Sequence, residues 1–300
     1  MQTVSSQKLA GVSIAASLFT ITFKLVAFFL TNSVSLLSDA LESFVNLIAA
    51  TITFFMIRLA HKPPDETHPY GHSKAEYLSS IAEGSFIMLA AGAIIFTAIQ
   101  RLLNPAPLEA PGIGLIFSVL ASVINLVVGL ILIKNGKKRN SLALEADGHH
   151  LLTDVYTTVG VLVGLAVVYV TKAFFLDPLI AIIVGLNIIS AGFSIIQKSL
   201  AGFMDSSIEK TYRDFIKKTF AEYKEKHIEF HGLRTRTAGS RKFISFHLLV
   251  PGAWSVQQAH VLAEEVEKKM RDAIPQSTIT THIEPLEDPV SWADTELDRK

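Results

Sequence analysis

No cysteine occurs among the 300 residues. That excludes disulfides and thiolate metal sites and leaves His, Asp, Glu and Asn to bind any metal. Charge is scarce as well. Asp, Glu, Lys and Arg make up 18% of a chain that is 50% hydrophobic, with mean hydropathy +0.40; an ordinary soluble domain carries about 25% charged residues. Neither sign dominates, since 27 basic residues balance 27 acidic ones and the pI is about 7.2. Nothing therefore marks a nucleic-acid partner. Two motifs are missing: no Gly-x-x-x-x-Gly-Lys loop to cradle nucleotide phosphates, and no His-Glu-x-x-His metalloenzyme signature. The first apolar run lacks the small-residue cleavage site of a signal peptide and is too long for one, so it is read as a mature spanning helix.

What is present is apolar length. About 20 apolar residues cross a hydrocarbon core, and six segments qualify: 9–31, 34–58, 77–103, 112–133, 147–171 and 179–201. Short Pro-bearing connections separate some of them, at Pro63-Pro64, Pro105, Pro107, Pro111 and Pro178. Arg58, Lys62, Lys74, Lys134, Lys137, Lys138 and Arg139 follow the even spans, while the other side shows Arg101 and Lys172. The positive-inside rule then places both termini in the cytosol. Beyond Asp205 the composition turns ordinary. Helical periodicity over 207–224, strand-like runs at 228–237 and 242–250 around Ala238-Gly239-Ser240, an amphipathic helix over 255–273 and a Thr/Ile-rich run at 277–284 predict an αββαβ order. The expected domains are 1–205 in the membrane, 206–287 outside it, and a loose tail over 288–300.

Ionisable groups inside spans are costly and therefore functional candidates. Asp39, Glu42 and Asn46 share one face of the second span, at i, i+3 and i+7. Asp147, His150 and Asp154 repeat that spacing in the fifth. The two helices run in opposite directions, as in an inverted repeat with a site between its halves. Antiparallel packing sets Glu42 near the depth of Asp154 and Asn46 near His150. One nitrogen and several oxygens then converge, a donor set suited to Zn²⁺, Fe²⁺ or Mn²⁺. Asp39 and Asp147, nearer the helix ends, are expected in vestibule or capping roles, and Lys24 is expected to balance charge or snorkel.

At these residues the sequence resembles the cation diffusion facilitators, a family of proton-coupled zinc and iron exporters. The resemblance rests on six spans, Ser33, Ser35 and Leu36 opening the second, His68-Pro-Tyr-Gly-His72, Glu145-Ala-Asp147, and a histidine-bearing C-terminal domain. It implies a transport site at Glu42, Asn46, His150 and Asp154, where Glu and Asn stand in place of the commoner Asp pair. It further implies a loop metal site at Asp65, His68 and His72. A ferredoxin-like C-terminal domain would bind metal through His231, His247, His260, His282 and Glu284. Lys74 and Asp205 match a charged interlock that holds a homodimer together.

The implied activity is metal/proton antiport by alternating access, with a divalent cation (Zn²⁺ first, Fe²⁺ next, then Mn²⁺ or Cd²⁺) as both substrate and regulator. The expected setting is a bacterial inner membrane, the expected partners are lipid, protons, metal ions and a second copy of the chain, and no organic cofactor is expected. With no nucleotide-binding loop, the energy source is an ion gradient. Two other readings stay open, a manganese-selective exporter and a membrane metal receptor that signals without transport; a membrane metalloenzyme is not expected, since no His-Glu-x-x-His motif appears. The enzyme would need an open coordination position and an acid/base partner.

Overall fold

The computed structural model describes residues 3–31, 34–104, 113–171, 173, 175–224 and 227–293, with the side chains of 34–42 and several other helical positions outside that description. The chain divides into two compact units, Met1–Leu200 and Ala201–Lys300.

The first unit contains six long helices: α1 (Thr3–Thr31), α2 (Val34–Ala60), α3 (Ala75–Leu103), α4 (Ile113–Arg139), α5 (Leu142–Thr171) and α6 (Leu176–Phe203). Each has 27 to 30 residues, ample for a hydrocarbon core about 30 Å thick at a rise of about 1.5 Å per residue. Among the described residues, four stretches are long and apolar enough to cross a membrane: Ser6–Val26, Ala75–Leu103, Ile116–Arg139 and Pro178–Phe203. Among the described residues of α2, Asn46–Ala60 is a further apolar stretch, and α5 carries Glu145, Asp147 and Asp154.

Packing in this unit inverts the soluble pattern. Ser6, Ser13, Ser17, Thr20 and Lys24, all on one face of α1, are buried, whereas Val12, Leu18, Phe19, Val26 and Phe29 are exposed. The same holds for exposed Phe55, Leu89, Phe96, Leu120, Val163, Ile183 and Phe193 on the other helices. In lipid such side chains need no burial, and helices associate instead through small residues and buried polar contacts. One close approach illustrates this. A Cβ on Gly148 of α5 would sit 2.8 Å from the Gly129 carbonyl oxygen, and one on Gly129 of α4 would sit 3.0 Å from that of Gly148. Any larger residue at either position pushes α4 and α5 apart. Two small cores lie on either side of α5. Ala143, Leu144 and Leu151 pack with Ala10, Ile57 and Leu132, and Ala146 packs with Ile87, Ala91, Ile188 and Ile195. Helix α5 is thus central, which is where its polar residues can be enclosed.

The second unit runs α7 (Lys210–Lys224), β1 (Glu229–Ala238), β2 (Arg241–Val250), α8 (Val256–Ala273), β3 (Ser277–Pro285) and α9 (Pro289–Ala293). The first five elements follow the expected αββαβ order. Its sheet is ordered β1-β2-β3, with β1 antiparallel and β3 parallel to β2. Ile244, Phe246 and Leu248 face Ile216 of α7 and Ala259, Ala263, Val266 and Met270 of α8 in one apolar core. Strand alternation turns His247 to the opposite face. Ser255 caps α8: its hydroxyl accepts from Gln258 N at 3.2 Å, while Gln258 Oε1 accepts from Ser255 N at 2.8 Å.

One expectation is corrected here. The stretch from 288 is not loose throughout, because Pro289–Ala293 is helical and tied back to the chain before it. Ser291 Oγ donates to the Pro285 carbonyl at 2.8 Å and Trp292 Nε1 to that of Leu286 at 3.0 Å. Polar composition hid these two anchors. Residues 294–300 lie outside the described residues.

Candidate metal sites

The helical unit brings Asn46, His150 and Asp154 together. Asn46 Nδ2 donates to Asp154 Oδ2 at 2.6 Å, and His150 Nε2 lies 2.5 Å from Asn46 Oδ1. The network assigns the protons. A carboxylate only accepts, so the Asn46 amide faces Asp154 with its NH₂ and His150 with its carbonyl, and Nε2 of His150 must carry the hydrogen. All three residues are at least nine-tenths buried. The expected proximity of Asn46 to His150 is seen, and Asn46 reaches Asp154 as well. The side chains of Asp39 and Glu42 lie outside the described residues.

Several residues of this region escaped the sequence reading. Asn125 of α4 donates from Nδ2 to the same Asp154 oxygen at 2.9 Å. Glu83 of α3 is 1% exposed, accepts from Thr53 Oγ1 at 2.8 Å through Oε1, and places Oε2 3.5 Å from His150 Nδ1. Glu83 was findable, since it is a carboxylate within an apolar span and the rule applied to α2 and α5 covers it equally. Asn125 gave a weaker signal, as an uncharged amide in a helix often bonds only to a neighbouring helix. The vestibule or capping role expected for Asp147 is also corrected. Its residue is 1% exposed, and Ser13 Oγ of α1 donates to Oδ1 at 3.0 Å. Proximity to the start of α5 suggested a surface position, but α1 covers that turn.

An Asn46→Asp substitution would set two carboxylates where an amide and a carboxylate now share a hydrogen bond. A divalent cation relieves that repulsion, so its binding should tighten by about 10-fold, roughly 1.4 kcal/mol. The metal-free protein should melt lower. Equal Zn²⁺ affinity in both proteins, by equilibrium dialysis, would place Asn46 outside the ion's reach.

In the loop between α2 and α3, Asp65, His68 and His72 each offer a ligand atom within 4.8 Å of the others. Asp65 Oδ1 accepts from the backbone N–H groups of Thr67 and His68 at 3.2 and 2.9 Å, which folds the loop over the carboxylate. His68 Nδ1 and His72 Nε2 then approach it at 3.4 and 3.5 Å. Lys62 Nζ, 2.8 Å from Oδ2, and the Thr67 hydroxyl hold the Asp65 carboxyl below the usual carboxylate range. Lys62 thus pairs with the Asp65 oxygen nearer His72.

The soluble unit places three of its four expected histidines in one row. His231 pairs with His247 across β1–β2, and His247 with His282 across β2–β3. Glu284, 5% exposed, lies beside them. Its Oε2 is 2.8 Å from His231 Nε2 and 3.3 Å from His247 Nδ1, and its Oε1 is 3.5 Å from His282 Nε2. His231, His247 and Glu284 have ligand atoms within 4.8 Å of one another. The backbone adapts at Gly232, where β1 bulges and φ is +62°; a Cβ there would sit 3.3 Å from the His247 ring. His260 is exposed on α8, whose buried side packs against the other face of the sheet. One chain therefore does not bring it to this row. Asp205 accepts from Arg236 Nη1 at 3.3 Å within its own unit, and Lys74 immediately precedes α3.

These features define an integral membrane protein with polar side chains of a metal-ligating type enclosed among its helices and a histidine-bearing soluble domain after them. A family model described as the cation efflux transmembrane domain matches residues 10–204, and one described as the cation efflux protein cytoplasmic domain matches 209–286. The chain belongs to the cation efflux (cation diffusion facilitator) family, whose members are transporters rather than enzymes. Among relatives, a transporter of Synechocystis sp. designated sll1263 is 47% identical over 94% of this chain and 91% of its own length. The cation-efflux pump FieF of Shewanella oneidensis is 33% identical over 92% of each chain. FieF of Serratia proteamaculans is 31% identical over 94% of this chain and 93% of its own.

Proposed function

We propose that this protein exports a divalent transition-metal cation across a bacterial inner membrane in exchange for protons, with Zn²⁺ the first substrate to test and Fe²⁺ the second. The observation that carries the reading is the enclosed convergence of Asn46, His150 and Asp154 between α2 and α5. All six helices span, and both termini are cytosolic. Glu42 completes the transport site, so that two carboxylates neutralise one divalent ion. Metal binds when the imidazole and carboxylates are deprotonated, and protons arriving from outside displace it. Helix rocking alternates access to the site.

The C-terminal domain, read as ferredoxin-like, binds metal as a homodimer and regulates the helices. His260 then contributes from the dimer rather than from within one chain. The loop site of Asp65, His68 and His72 binds metal once Lys62 withdraws. Lys74 and Asp205 form the charged interlock of the dimer. Reversing either charge should lower flux several-fold, and reversing both should restore it; additive damage in the double mutant would refute the pairing.

Flux into proteoliposomes under an imposed proton gradient tests the central proposal, with Zn²⁺, Fe²⁺, Mn²⁺ and Cd²⁺ in competition. Strong inhibition of Zn²⁺ uptake by Mn²⁺ at equal concentration would favour a manganese exporter. Metal binding without flux would favour a receptor.

A further inference from the structure

Beneath the cluster of Asn46, His150 and Asp154 lies a second layer of buried acid. Glu83 and Asp147 are each 1% exposed. Each has one oxygen served by a hydroxyl: Thr53 donates to Glu83 Oε1 at 2.8 Å and Ser13 to Asp147 Oδ1 at 3.0 Å. Their other oxygens, Glu83 Oε2 and Asp147 Oδ2, have no hydrogen-bond partner among the described residues, and neither has His150 Nδ1. Orphaned, buried ligand atoms are rare in a folded protein, and here Glu83 Oε2 lies 3.5 Å from His150 Nδ1, with Asp147 three residues before His150 on α5. We infer that Glu83, Asp147 and His150 Nδ1 form a second intramembrane station for the transported divalent cation.

The tautomer supports this. Because Nε2 donates to Asn46, the imidazole lone pair sits on Nδ1, 3.5 Å from Glu83 Oε2. His150 therefore has one nitrogen toward each layer. Asp147 and Asp154 are seven residues apart on α5, or about 10 Å along its axis, with His150 between them. Asp147 and Glu83 lie toward the helix ends that adjoin the Lys- and Arg-bearing connections. Two buried carboxylates without a counter-ion are costly, and one divalent cation neutralises both. Carboxylate oxygens with one imidazole nitrogen suit a borderline divalent ion. The three ligand atoms do not all close to within 4.8 Å, as those of the loop and sheet sites do, so capture takes a rotation of a side chain. The ion would rest here and pass to the Asp154 layer as His150 exchanges the nitrogen it presents.

This inference takes the cation's identity from the proposed function, and the test separates the two. The full-length protein would carry Asp65→Ala, His68→Ala, His72→Ala, His231→Ala, His247→Ala and His282→Ala, and bound Zn²⁺ would be measured by equilibrium dialysis. Adding Asp154→Asn should leave one Zn²⁺ per chain, and adding Glu83→Gln or Asp147→Asn to that should remove it. In the otherwise native chain, Glu83→Gln should cut flux at sub-saturating Zn²⁺ by about 10-fold or more, and Glu83→Asp by less. Melting temperature and size-exclusion profile report folding. If Glu83→Gln fails to fold, Asp147→Asn carries the same comparison. The station is overturned if Asp154→Asn alone removes all Zn²⁺, or if Glu83→Gln and Asp147→Asn leave the residual ion bound. If Asp154→Asn leaves both binding and flux unchanged, the Asp154 transport site fails instead.

Discussion

Zn²⁺ flux in proteoliposomes is expected to fall by at least about 100-fold when Asp154 is replaced by Ala, with protein still reaching the membrane. Removing one member of a buried charged set costs about 3–5 kcal/mol, which corresponds to at least a hundredfold in affinity. The geometry makes the loss worse than one ligand. Asn46 and Asn125 both donate to Asp154 Oδ2, so truncation strands two amides away from water. Each stranded group costs about 1–3 kcal/mol, and the melting temperature should drop too. Asp154→Asn separates the effects, since it removes the charge and keeps the shape; flux should still collapse while stability largely recovers. His150→Ala should match Asp154→Ala in flux, because it removes the only imidazole among the described residues at this point. Wild-type flux in either Ala mutant would remove that residue from the transport site.

A different outcome is expected in the soluble domain. Replacing His231, His247 and His282 together with Ala should raise the Zn²⁺ concentration for half-maximal flux by about 10-fold or more, while flux at saturating Zn²⁺ persists. The three rings share one row of the sheet around Glu284, a donor set suited to Zn²⁺. That row follows the last helix in sequence and belongs to a unit with its own core. Metal bound there is expected to modulate transport rather than to be carried. Zn²⁺ bound per chain should fall as well. Undiminished binding would make the histidines bystanders, and complete loss of flux at every concentration, with folding intact, would show that the domain does more than sense.

The long apolar runs and the αββαβ periodicity were readable because they are local. Hydrophobic spacing of 3.6 or 2 residues and runs of spanning length belong to the chain before any packing. Asn46 on α2 and His150 and Asp154 on α5 were readable for a related reason: a polar residue in an apolar run stands out whatever surrounds it. The same rule covers Glu83, a lone carboxylate in the apolar run of α3. The short helix Pro289–Ala293 was missed because its anchors are two hydrogen bonds made to backbone already in place.

Sequence by itself determined the helices, the strand order along the chain, the ligand types and the exclusion of cysteine chemistry, since each follows from composition or short-range periodicity. Only the tertiary structure decided which ligands meet. Asn46 and His150 are joined by packing of α2 against α5, and Asn125 enters because α4 closes on α5 through Gly129 and Gly148. Asp147 is buried because α1 lies over it. His231, His247 and His282 share a row because strand register aligns residues distant in sequence, and register depends on pairing between strands. Metal sites need several atoms placed within a few ångströms, and residues far apart in sequence acquire that placement only through helix and strand packing.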